Sequence, residues 1–201
     1  TVSGYVGAWK DIAKYVDYIN IMAYDMHGAF DTTTASQAPW DIDAQHDPFH
    51  GKPGGVTIKS SIQAYIDSGV PVGKLVLGMP AYGRSSIISS EGTTGGLYQA
   101  SSGAPKGEFD ATGVYTYKCL TQGDCHGGGT KPALTLHTKG TSLFNTYGGY
   151  ALTPWGSSSN MFMTYDDQNS VKAKLQETCS AFGQLGGGMV WALDGDTKDS
   201  T

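Results

Sequence analysis

Two polar side chains stand where an apolar run stops. Val16 to Tyr24 reads VDYINIMAY, and Asp25 follows at once. A carboxylate at the end of a buried parallel strand lies where barrel enzymes place their active sites. Met22 shares the Tyr24 side of an extended chain, since alternate residues of a strand point the same way. A second run, Lys74 to Pro80 (KLVLGMP), leads into Tyr82 and Arg84, with Met79 near its end. A guanidinium can donate several charge-assisted hydrogen bonds at once. A third run, Gly188 to Leu193 (GMVWAL), presents Met189 and Trp191 on one face and Val190 and Ala192 on the other. Trp191 offers a flat apolar surface. Asp194 follows as a carboxylate that could brace the same region.

Other groupings carry less chemistry. His46 and His50 are four apart, but Pro48 between them argues against the helix that would put both imidazoles on one face. Asp41 and Asp43 read as a solvated pair in a loop. Gly127–Gly129 and Gly186–Gly188 are not phosphate loops, because no Lys-Ser/Thr follows. Trp40 either stacks on a ligand or packs on its own scaffold. Tyr147, Tyr150 and Trp155 form either a groove wall or a small core. Cys119 and Cys125 sit six apart in a turn-rich stretch, close enough for a local disulfide, with two free thiols as the alternative. Cys179 is expected as a buried thiol on a helix. No metal and no cofactor is expected.

The elements that must position these residues follow from periodicity. Lys10 to Tyr15 reads as a short helix before the first strand. Ile19, Ile21 and Ala23 form its aliphatic side, with Asn20, Met22 and Tyr24 opposite. A long loop, His27 to Val56, is rich in Gly, Pro, Asp and Thr. Thr57 then caps a helix with Ile58, Ile62, Tyr65 and Ile66 on one face, and Gly69 and Pro71 end it. The second strand follows, so the order is a right-handed βαβ unit with parallel strands. Ser85 to about Thr164 is glycine-rich and lacks a helical period. It reads as an inserted α+β subdomain with strands near Gly113–Tyr117, Tyr150–Thr153 and Met161–Thr164. Asp167 or Asn169 caps a helix whose stripe is Val171, Leu175, Thr178, Cys179 and Phe182. The third parallel strand closes the order.

Composition excludes several function classes. The chain has 201 residues, 39% hydrophobic and 15% charged, with 29 glycines and a net charge of −5. Abundant aromatic residues and glycines point to a folded, loop-rich chain. There is no Lys/Arg run to face a phosphate backbone, so nucleic acid is not an expected partner. No stretch approaches the roughly 20 apolar residues of a membrane span, so no membrane role is read. Thr1 to Gly7 is neither basic nor strongly apolar and does not read as a signal peptide.

Three motifs, in order, then carry a resemblance. MAYD at Met22–Asp25 is followed by His27-Gly28; GMPAYGR spans Gly78–Arg84; GGGMVWALDGD spans Gly186–Asp196 after YDD at Tyr165–Asp167. Over nearly the whole chain this pattern resembles the family 18 glycoside hydrolases, the chitinase family. The resemblance implies an α/β fold, the last three strands of a (β/α)8 TIM barrel. Residues 1–84 and 165–201 would be barrel, and 85–164 the α+β insertion. It implies a substrate-assisted route, in which the acetamido oxygen of an N-acetylglucosamine ring attacks its own anomeric carbon. Tyr24 would hold the acetamido carbonyl, and Asp25 would contact the acetamido side and offset the positive charge of the oxazolinium intermediate. Met22 would line the pocket. Met79, Tyr82 and Arg84 would contact the sugar, Arg84 through its oxygens. Trp191 would form the floor under the sugar ring. Chitin or chito-oligosaccharides are the implied partners, and the location implied is extracellular.

The resemblance also exposes a gap. The family signature DxxDxDxE, whose Glu is the catalytic acid, does not occur in these residues. Three parallel strands are too few for a barrel that usually needs about 250 residues. A missing N-terminal barrel segment, in the same or another chain, is the expected partner. This chain alone is expected to be inactive. A chitinase-like binding protein without catalysis would use the same sugar-contact residues.

Overall fold

Two sheets of opposite character share this chain. The computed structural model describes residues 8–109 and 112–197; the stretch 1–7 and the end of the range 165–201 lie outside the described residues. In chain order the elements are α1 (Trp9–Ile12), β1 (Ile19–Ile21), α2 (Ile58–Asp67), β2 (Leu75–Pro80), β3 (Tyr82–Ile87), β4 (Val114–Thr116), α3 (Tyr117–Gln122), β5 (Thr135–His137), β6 (Trp155–Ser158), β7 (Met161–Thr164), α4 (Gln168–Phe182) and β8 (Gly187–Trp191). Strands β1, β2 and β8 form a parallel sheet in that order, and the other five form a sheet ordered β4-β3-β7-β6-β5. Every pair in the second sheet is antiparallel.

The parallel sheet forms as its sequence pattern predicts. Ile19 and Ile21 are buried while Asn20 between them is exposed. The strand stops at Ile21, three residues short of the apolar run's end, because residues 22–25 leave the ladder. α2 starts at a reciprocal capping box, in which Thr57 and Ser60 satisfy each other's backbone N–H groups. It buries Ile58 and Ile62 against Leu75 and Leu77 of β2 in a core shared with Trp40. Gly69, at φ +87°, makes the left-handed turn that follows.

α4 keeps part of its expected stripe, with Thr178 buried and Leu175 and Phe182 packed against the core. Asp167 caps it with a second capping box to Ser170, but its buried positions are Ser170, Lys174 and Thr178. Lys174 is fully enclosed and pairs with buried Asp166 at 2.5 Å. Ser170 donates to the same carboxylate oxygen at 2.7 Å. Burial pushes the Lys174 ammonium down and the charge of Asp166 opposes that. This polar file, spaced four residues apart, shares the packed side of the helix with Leu175 and Phe182. Cys179 is therefore exposed, not a buried thiol.

The antiparallel sheet was only partly visible in sequence. β4 and β7 fall where short strands were expected. The strand expected at Tyr150–Thr153 is absent: the carbonyls of Tyr150 and Ala151 accept from Asp41 and Trp40 instead, and the strand lies at Trp155–Ser158. β3 and β5 were not foreseen, because YGRSSI and TLH lack an apolar alternation. β3 begins at Tyr82 and runs across position 84–85, where the sequence reading changes subdomain. Cys119 and Cys125 are joined by a disulfide with Cα atoms 4.3 Å apart.

The long loop is a structural element in its own right. Thr34 to Trp40 are all buried. Buried backbone needs partners, and here they come from the second sheet's connections. Thr34 N–H donates to Gln99 O, Tyr98 N–H to Thr34 O, and Thr153 Oγ1 to Ala38 O at 3.0 Å. Gln37 Nε2 donates to Tyr82 O at 2.7 Å and so ties the loop to the start of β3. Trp40 packs in the core, with Phe182 edge-on at 6.4 Å, and Trp155 in that of the second sheet. Asp43 contradicts the expectation of a solvated pair. It is buried, meets His46 Nδ1 at 2.5 Å and accepts from the Gln45 and His46 N–H groups.

Candidate functional site

The site forms where the two sheets meet at the C-terminal edge of the parallel one. Pro80, the last residue of β2, pairs with Trp191, the last of β8. Ala81 N–H donates to Trp191 O at 2.8 Å, and Tyr117 N–H to Ala81 O at 2.9 Å, which locks the junction. The Trp191–Ala192 peptide is cis. One residue after Ala81 the chain turns into β3, which delivers Tyr82 and Arg84.

Asp25 is the hub. It adopts φ +60°, a left-handed conformation that Asp tolerates better than most residues. Its carboxylate takes a forked ion pair from Arg84, with Nε to Oδ1 at 2.5 Å and Nη2 to Oδ2 at 2.7 Å. Tyr82 Oη donates to Oδ1 at 2.6 Å. The bonds to Asp25 hold Arg84 above the ordinary guanidinium value, against the effect of its burial. Burial raises the Tyr82 phenol far above its usual range, and the Asp25 carboxylate it serves adds to that. Tyr82 is therefore a fixed donor at all ordinary pH values. The guanidinium also lies 5.9 Å from the Phe30 ring centre and 5.7 Å from that of Tyr82, which adds cation–π contacts.

Tyr24 lies on the same face as Trp191. Its ring rests on β2 at Gly78, where a side chain would stand 2.9 Å from Tyr24 Cε1 and 2.4 Å from the Ile21 carbonyl oxygen. Met189, two residues from Trp191 on β8, approaches the same spot at 3.0 Å. Only glycine permits this close approach. Tyr24 is buried, with Tyr82 edge-on at 6.2 Å. Its phenol is raised by burial first and by the neighbouring Asp25 charge second.

A cleft of about 270 Å³ opens beside this cluster, lined by Asp25, Tyr82, Arg84, Trp191 and Asp194 among others. The indole is 59% exposed. Four of the seven site residues expected from sequence thus stand around or directly at the cleft's edge as a bonded group with the indole: Asp25, Tyr82, Arg84 and Trp191. Tyr24 adjoins the group through its edge-on contact with Tyr82. Met22 and Met79 do not line the cleft. Met22 lies beyond the end of β1 and is 74% exposed. Met79 alternates to the opposite face of β2 from Gly78, with its Cε against Gly188. Two of Arg84's three guanidinium nitrogens are engaged by Asp25. Phe109, Val114 and Thr116, which line the cleft from the second sheet's side, were missed. They lie in a segment whose pairing has no sequence signal beyond a Val-Tyr-Thr run.

Comparison with solved structures places this architecture among the barrel chitinases. Chitinase ChiA74 from Bacillus thuringiensis superposes with a TM-score of 0.75 at 30% identity, covering 95% of this chain and 30% of that one. The group IV chitinase of Ostrinia furnacalis, solved in complex with allosamidin, gives 0.74 at 27% identity over 94% of this chain and 46% of that one. The fold class is thus part of an α/β barrel of the glycosidase type. Chitinase A1 of Niallia circulans is 32% identical over 187 residues, covering 92% of this chain and 25% of that protein. The model of Glycosyl hydrolases family 18 matches residues 2–196, and the chain belongs to that family. It spans between a quarter and a half of the length of these relatives. Among the described residues no helix is long and apolar enough to cross a membrane.

Proposed function

We propose that this chain provides the sugar-gripping side of a chitinase that cleaves β-1,4-linked N-acetylglucosamine polymers by a substrate-assisted, retaining route. The three parallel strands are read as the last three of the barrel, and the antiparallel sheet as the insertion between the last two. The observation that carries the reading is the Asp25 carboxylate, fixed by Arg84 and Tyr82, beside an exposed indole at the C-terminal strand edge.

In this reading the ring of the reacting sugar lies on Trp191, its C–H face against the indole. Its acetamido group is held in line so that the carbonyl oxygen reaches the anomeric carbon, with Tyr24 as the donor that fixes it. The attack leaves a cationic oxazolinium ring, and the pre-positioned carboxylate of Asp25 offsets the charge without reorganisation. Water then opens the ring with retained configuration. The Arg84 fork keeps Asp25 oriented, and its Nη1, without a hydrogen-bond partner among the described residues, remains for a sugar oxygen.

The acid that protonates the leaving oxygen is not among these residues, which lack DxxDxDxE. A preceding barrel segment, in the same or another chain, would supply it and would cover the exposed strand β8. The polymeric substrate points to an extracellular location. The same lack of signature favours a second reading, a chitinase-like protein that binds chito-oligosaccharides without cleaving them. A fluorogenic chito-oligosaccharide assay separates the two. The 201 residues alone release no product in either case, and release by them would overturn the claim that the acid lies elsewhere. The full-length protein turns substrate over only if it is the enzyme. There, Tyr24→Phe is expected to lower kcat more than affinity; equal losses would remove Tyr24 from its stabilising role.

A further inference from the structure

Phe109 is a large apolar side chain left 44% exposed on the cleft wall contributed by the antiparallel sheet. A single exposed phenylalanine needs no explanation by itself, but this one is built into place. Its ring stacks on His126, with centroids 5.1 Å apart and planes 28° apart. His126 directly follows Cys125, which the disulfide ties to Cys119 in α3. The residue before Phe109, Glu108, clamps the whole arrangement. Glu108 Oε1 accepts from His126 N–H at 2.7 Å, Oε2 accepts from Thr116 Oγ1 at 2.8 Å and from Thr116 N–H, and Glu108 N–H donates to Val114 O. Thr116 in turn caps α3 by accepting from Cys119 N–H. One carboxylate thus joins β4, the start of α3 and the disulfide loop, and the product of that clamp is an aromatic face held toward the cleft.

We infer that Phe109 is a second sugar-stacking platform, facing a different ring of the oligosaccharide from the one on Trp191, and that His126 and the Cys119–Cys125 loop are its positioning residues. The inference rests on the chitinase reading above. Two aromatic faces supplied by different sheets meet successive rings of an extended chain. A rotamer fixed in advance loses little entropy when the sugar arrives.

The test is calorimetric binding of chito-oligosaccharides, from disaccharide to hexasaccharide, to the full-length protein. Phe109→Ala is expected to weaken hexasaccharide binding about tenfold and disaccharide binding less than about twofold, as fits a lost aromatic stacking contact. Phe109→Trp restores the long-chain affinity. His126→Ala gives a smaller loss of the same length dependence, and no further loss in the Phe109→Ala background, as coupled residues require. Equal weakening at all lengths, or none, overturns the platform. Additive losses overturn the positioning by His126. Absence of any chito-oligosaccharide binding by the wild-type protein overturns the chitinase reading and this inference with it.

Discussion

The two sheets are made by different means. In the parallel sheet, β2 is buried along its length except at Met79, while β8 beside it is exposed at four of five positions. In the antiparallel sheet β6 and β7 are each buried at three of four positions, and β3 at three of six. A core of Ile88, Leu97, Phe144, Trp155 and Phe162 packs against that sheet, and a disulfide closes the chain beside it. The same residue type shows the contrast. Trp155 is 1% exposed and donates to Gly95 O at 2.9 Å, whereas Trp191 lies open. One sheet is finished by its own residues. The other leaves most of β8 and the Trp191 indole exposed, and the cleft lies on the seam between them.

That contrast can be tested by substitution. Trp155→Ala should have the largest effect, about 3–5 kcal/mol of lost stability in urea unfolding, from the cavity and the orphaned Gly95 carbonyl. A loss below about 1 kcal/mol would show that the second sheet's core is not what holds it. Lys174→Met should cost nearly as much, about 3 kcal/mol, because it strands the Asp166 charge in the interior. Adding Asp166→Asn should recover part of that loss, and no recovery would mean that the helix packing, not the ion pair, was disturbed. Trp191→Ala should change stability by less than about 0.5 kcal/mol, as for an exposed side chain, yet abolish most chito-oligosaccharide affinity in the full-length protein. A large stability loss there would recast the indole as core.

The smallest effect concerns pH. Burial raises the Asp43 carboxyl, but the His46 hydrogen bond and the Gln45 and His46 N–H groups outweigh it, so it stands below its ordinary value. A depressed carboxylate contributes stability that is present above the unfolded value near pH 4 and is lost as pH falls through the folded value. Asp43→Asn should therefore flatten the stability profile below about pH 4, measured by thermal unfolding. An unchanged acid slope would show that Asp43 does not anchor the loop.

What sequence alone determined is the parallel half and the chemical types at its edge. The strand at 75–80, the helix capped at Thr57 and the helix capped at Asp167 are legible because burial on a repeating element forces a period on side-chain type. Asp25 was legible because a carboxylate at the end of a buried parallel strand has few structural reasons to be there, whereas Tyr82, Arg84 and Trp191 were named through the resemblance of their motifs to the family. Only the tertiary structure decided that Arg84 grips Asp25, that Met22 and Met79 stand off the cleft, and that Phe109 borders it. Tertiary contact also turned Tyr150–Thr153 into a ledge for the loop and gave the α4 interior to Lys174. Those outcomes depend on which groups meet in three dimensions, from Asp166 eight residues before Lys174 to Ala151, which lies more than a hundred residues after Trp40, and such pairings leave no local period to read.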